Sequence, residues 1–110
     1  MRFVFLLTGL LYCLGAWAAP DGADLLAACK HALKSGFAGM QGAMCGYYVT
    51  PCDCAAVREP GVPRVCLPDN VPVEQLSREV VAGLEARPEL RSRTASAAAA
   101  VILARDYPCP

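Results

Sequence analysis

Apolar residues in this chain recur at the three- and four-residue steps of a helix rather than at the alternating step of a strand. Leu26, Cys29 and Leu33 follow that spacing. Asp21 and Asp24 supply side-chain acceptors before them, suited to the positive end of a helix, and Ser35-Gly36 stops the run. This predicts a first helix from Asp21 to Lys34. The next stretch, Phe37 to Val57, is less regular. Met40, Met44, Tyr47, Tyr48 and Val49 suggest a buried helical face, while Gly39, Gly42 and Gly46 weaken it. Pro51 lacks a backbone donor and crowds the preceding turn, so the second helix is expected to break or kink there.

Residues 59–72 carry Pro60, Gly61, Pro63, Pro68 and Pro72 and read as loop. The third helix has the cleanest pattern, with Val73, Leu76, Val80 and Leu84 on one stripe and Glu74, Arg78 and Glu85 facing away. Pro72 suits its first position and Pro88 ends it. A fourth helix begins near Ser92 or Thr94, either of which can cap it, and runs from Ala95 to Asp106. Its alanines allow close approach of neighbouring backbone, and Val101, Ile102 and Leu103 make it apolar nearly all round. Such a helix belongs in the middle of a domain or at a subunit interface. Tyr47 to Thr50 is the sole short strand candidate, and no alternation supports it. The expected fold is all-α, a small four-helix domain without repeats.

Ahead of these helices, Met1-Arg2 precede an uncharged apolar run from Phe3 to Ala18 that closes on Ala16-Trp17-Ala18. Small residues at both recognition positions mark a signal-peptidase site, so residues 1–18 read as a cleaved signal peptide and residues 19–110 as the domain. The run falls short of the roughly 20 apolar residues that span a bilayer. Tyr12 is bulky where lipoprotein processing needs a small residue, so Cys13 is not read as a lipidation site. No membrane association is expected of the mature form.

Cleavage after Ala18 leaves 92 residues with six cysteines: Cys29, Cys45, Cys52, Cys54, Cys66 and Cys109. An even set in a small exported chain reads as a disulfide framework, since so small a core gains much from cross-links. If the helices run up and down, Cys66 before the third helix and Cys109 after the fourth meet at one end. Cys29 and Cys45 then lie toward the other. The expected pairs are Cys29–Cys45 and Cys66–Cys109. Cys52-Asp53-Cys54 is the most chemical-looking feature, because two thiolates flanking a carboxylate suit a soft metal or disulfide exchange. A redox pair normally shows C-x-x-C at a helix start, and a closed zinc site would need further ligands. An extra disulfide is favoured over metal binding, and metal binding over redox exchange.

Other chemistry is thin. His31, two residues beyond Cys29, has no third group to complete a nucleophile pair. The serines lack a G-x-S-x-G elbow, and no phosphate-binding glycine loop exists. No enzyme activity and no cofactor are expected. The mature part holds nine Lys plus Arg against ten Asp plus Glu, a net charge of −1 with no basic patch, which speaks against a nucleic-acid partner. Arg87, Glu89, Arg91, Arg93 and Arg105 make the last third locally basic. That suits either a solvated turn or a rim for an acidic partner surface.

Several segments, taken in order, resemble the Rap/Tai-type immunity protein family, which protects bacteria from type VI secretion amidase effectors. They are Leu25-Leu26-Ala27-Ala28-Cys29, Cys45-Gly46-Tyr47-Tyr48-Val49, Val65-Cys66-Leu67-Pro68, Val73-Glu74-Gln75-Leu76, Leu84-Glu85-Ala86-Arg87-Pro88-Glu89-Leu90 and Tyr107-Pro108-Cys109. The resemblance implies a periplasmic helical protein, commonly a homodimer, that sterically blocks a papain-like amidase cleaving peptidoglycan stem peptides. The candidate plugging segments are residues 86–93, with Arg87, Glu89, Arg91 and Arg93 as candidate contacts, and residues 59–70. The alternative is a periplasmic metal-binding or redox protein using Cys52 and Cys54. Both of these cysteines are additional to the family's usual four, and Pro51 stands where the family often has glycine within a continuous helix. A shortened or distorted second helix is therefore expected.

Overall fold

A computed structural model describes residues 19–51 and 60–110. The signal-peptide assignment for residues 1–18 lies outside the described residues, as do Cys52 and Cys54. Four α-helices and one short 3-10 turn follow in order: α1 (Gly22–Ser35), α2 (Gly39–Val49), α3 (Val73–Ala86), the turn Pro88–Ser92, and α4 (Ala95–Asp106). No strand forms among the described residues, so the fold is all-α as expected.

Local chemistry sets the helix ends. Asp21 caps α1 through a reciprocal box, its Oδ1 accepting from Asp24 N at 2.9 Å while Asp21 N donates to Asp24 Oδ2 at 3.0 Å. Gly36 closes α1 in the left-handed conformation at φ 67°, where a side chain would be strained. Phe37 also takes a positive φ of 63°, and the chain turns within three residues into α2. Pro72 sits one position outside α3 rather than first within it, and its carbonyl accepts from Gln75 N and Leu76 N. Thr94 is the residue that caps α4, with Oγ1 accepting from Ala97 N at 3.2 Å.

The core is shared by all four helices. Leu25, Ala28, Cys29 and Ala32 of α1 meet Cys45 and Val49 of α2, Leu76, Val80 and Leu84 of α3, and Leu103 with the alanines of α4. Ala95 and Ala97 to Ala100 are buried within the domain, which answers the question of where the apolar fourth helix belongs. Ile102 packs directly over Gly83, leaving no room there for a Cβ.

Both expected disulfides form, Cys29–Cys45 between α1 and α2 and Cys66–Cys109 between the proline-rich loop and the C-terminus. They span 16 and 43 residues. By the loss of unfolded-chain freedom alone such closures contribute about 3 and about 4 kcal/mol.

A further expectation fails in α2. Met40 and Tyr47, read as part of a buried face of α2, are 87% and 74% exposed. The buried positions are Gly42, Cys45 and Val49. The bridge to Cys29 turns Cys45 inward, and at about 100° per residue Gly42 and Val49 follow it while Met40 and Tyr47 swing to the far side. α2 ends at Val49, before Pro51, in line with the shortened helix expected from that proline.

Candidate binding surface

The 3-10 turn between α3 and α4 carries the candidate contact residues and is fixed from below. Leu90 is 2% exposed and plugs the turn into the core. Leu90 N donates to Arg87 O at 3.0 Å, Arg93 N to Leu90 O at 3.2 Å, and Ser92 Oγ to Glu89 O at 3.1 Å. The start of α1 braces it from the side: Gly22 N donates to Arg93 O at 2.8 Å, and Ala95 N donates to Pro20 O at 3.0 Å. Asp21 and Thr94 thereby form an isolated antiparallel bridge. Gly22 is required for this approach, because a Cβ there would collide with the Leu90 carbonyl.

The four side chains divide by role. Arg87 Nε donates to Glu89 Oε1 at 3.0 Å, and both groups are exposed. The backbone amide of Glu89 and then the Arg87 guanidinium hold the Glu89 carboxyl below its usual range. Arg91 is turned back onto α3, its Nε donating to Leu84 O at 2.9 Å and its Nη2 to Glu85 O at 3.3 Å. It caps carbonyls that the end of the helix leaves open, so it supports the turn rather than projecting from it. Arg93 is exposed. Beside the turn, Lys30 of α1 reaches Glu85 at 3.0 Å. The turn is thus anchored through Leu90 and Arg91 and leaves Arg87, Glu89 and Arg93 exposed.

The second candidate segment, the proline-rich loop, is described from residue 60 onward. Val65 is its buried anchor at 5% exposure and bridges to Pro108, while Cys66 N donates to Tyr107 O at 3.0 Å. Tyr107 is itself tied to α3: its hydroxyl donates to Glu79 Oε1 at 3.1 Å and accepts from Gln75 Nε2 at 3.3 Å. Desolvation, and then the Glu79 carboxylate, hold the Tyr107 phenol above its ordinary value.

Of the reactive readings, the one at Cys52 and Cys54 lies outside the described residues. Cys29 is consumed in its disulfide and His31 is exposed, so the pair does not assemble. Among the described residues no group of three or more His, Cys, Asp or Glu is placed to hold a metal ion. An open groove of about 320 Å³ lined by Pro20, Asp24, Ala27, Gln41 and Met44 runs between α1 and α2. Sequence reasoning missed the exposed apolar stripe of α2. The signal was present in the position of Cys45, since pairing that residue with Cys29 fixes which side of the helix faces in.

No helix among the described residues is long and apolar enough to cross a membrane. No curated protein and no solved structure matches the chain. The family model described as Rap1a immunity proteins does match it, over residues 21–109. That span takes in the four helices, the 3-10 turn and the two disulfides of the described residues, so the chain belongs to the Rap1a immunity protein family, whose members' role implies binding of a secreted effector.

Proposed function

We propose that this protein is a periplasmic immunity protein that binds a peptidoglycan amidase delivered by type VI secretion and blocks its substrate groove. The observation that carries the reading is the family match over nearly the whole folded domain. Steric blocking needs a rigid scaffold and a projecting element, and no reactive group of its own. The turn Pro88–Ser92 meets that need: it is short, anchored by Leu90 and Arg91, and stitched to α1. Arg87, Glu89 and Arg93 are the contacts offered outward, with Arg91 holding them in place. Preorganisation of this kind lowers the ordering cost of binding.

Residues 1–18 act as the signal peptide in this reading, and the mature domain is residues 19–110. Two disulfides suit the oxidising compartment that this route reaches. The protein works as a homodimer, for which the exposed apolar stripe of Met40 and Tyr47 on α2 is the candidate face, since α4 is used up inside the domain.

Calorimetric titration of the mature, oxidised protein against peptidoglycan amidases delivered by type VI secretion, with stem-peptide hydrolysis followed in parallel, tests the proposal. Saturable binding with loss of hydrolysis is expected. The paired change Arg87→Ala and Arg93→Ala weakens binding without altering the helical circular dichroism. Absence of binding to a competent amidase refutes the reading.

A further inference from the structure

Three arginines stand at the 3-10 turn, and two of them are engaged within the protein. Arg87 is balanced by Glu89, its Nε 3.0 Å from Oε1, an exposed pair that presents no net charge. Arg91 is turned onto the end of α3, where it donates to Leu84 O and Glu85 O. Arg93 is exposed, and among the described residues its guanidinium has neither a hydrogen bond nor an ion pair. The acids around it have other partners. Asp21, brought alongside by its bridge to Thr94, gives Oδ1 to the Asp24 amide, and Glu85 pairs with Lys30 at 3.0 Å.

The backbone beneath Arg93 is fixed on both sides. Its N–H donates to Leu90 O at 3.2 Å, and its carbonyl accepts from Gly22 N at 2.8 Å. Leu90 is buried in the core, and Gly22 leaves the space that a Cβ would take from the Leu90 carbonyl and the Arg91 Cα. The guanidinium is therefore an unsatisfied planar fork of N–H donors on an ordered backbone, so a partner has only the side chain to order. A fork of that shape matches the two oxygens of a carboxylate. Arg87 is balanced by Glu89, Lys30 by Glu85, and Arg91 lies against the negative end of α3. The turn thus projects one uncompensated charge, which suits a single acidic side chain and not a polyanion.

We infer that Arg93 is the specificity-determining residue of this surface, pairing with a carboxylate that the effector protein presents, an inference that rests on the proposed reading of the turn as the effector-binding element. Arg87 and Glu89 then act as a neutral rim, and Arg91 and Gly22 set the height at which Arg93 stands.

Two measurements on residues 19–110, oxidised, test it. Phenylglyoxal modifies accessible guanidinium groups, and with its adducts located by mass spectrometry Arg93 is modified faster than Arg87 and Arg91. In calorimetry and stopped-flow binding to peptidoglycan amidases delivered by type VI secretion, Arg93→Ala weakens binding by about tenfold or more. Arg93→Lys keeps the charge but not the fork, so it retains the salt dependence of association and dissociates faster. The charge-neutral paired change Arg87→Ala and Glu89→Ala alters affinity by less than about threefold. All of these positions are exposed, and the helical circular dichroism is unchanged. Modification of Arg87 or Arg91 ahead of Arg93, or full affinity in Arg93→Ala or Arg93→Lys, overturns the inference and leaves the proposed function standing. A wild-type chain that binds no such amidase removes the proposed function and the role of Arg93 together.

Discussion

Two helices, α2 and α4, look alike in sequence and behave in opposite ways. Both are rich in small and apolar residues and neither shows a strong polar face. Yet α4 is buried along most of its length, and α2 leaves Met40 and Tyr47 in solvent. The difference lies in what fixes each one. Around α4, alanine is the side chain that fits where α1 and α3 approach closely, and Ile102 closes over Gly83. For α2, one covalent bond at Cys45 chooses the inward side, and the larger side chains two and five residues away are left outside. Apolar composition thus predicts burial only where the anchor is known.

Substitutions sharpen this contrast. The largest effect is expected in α4 at Leu103, 1% exposed, where Leu103→Ala opens a cavity and costs about 2–5 kcal/mol, measured by chemical denaturation. Thr94→Ala removes the hydroxyl that accepts from Ala97 N and costs about 1 kcal/mol in the same assay. Met40→Ser and Tyr47→Ser, although they replace the bulkier side chains of α2, change stability by no more than about 0.5 kcal/mol. A loss of several kcal/mol at Met40 or Tyr47 in the isolated chain would break the comparison outright. At concentrations where the proposed homodimer forms, the same changes cost more, and that excess grows with protein concentration.

Much of the architecture was legible from the residues. Capping groups at Asp21 and Thr94, the stop at Gly36 and the clean stripe of Val80 and Leu84 placed three helices to within a residue or two. The disulfide pairing followed from the ends at which an up-and-down bundle places its cysteines. The outward side of α2 was not legible, because a helix rich in glycine, methionine and tyrosine, with Gln41 as its one amide, carries no polar stripe to mark it. Nor did spacing reveal that Arg91 folds back onto the end of α3, since a run of arginines near a helix end reads equally as a free charged rim. The stitch between Pro20-Asp21-Gly22 and Arg93-Thr94-Ala95 is a backbone contact between distant segments, and its trace in the sequence is a single glycine, Gly22, too little to read without the fold.

The central proposal is that this disulfide-bonded helical domain, a member of the Rap1a immunity family, neutralises an amidase by occupying its groove. Calorimetric titration of residues 19–110, oxidised, into peptidoglycan amidases delivered by type VI secretion, with stem-peptide hydrolysis recorded on the same samples, tests it most directly. The account predicts a saturable heat of binding and hydrolysis that falls to zero as the sites fill. No heat, and hydrolysis undiminished by excess protein, would contradict it.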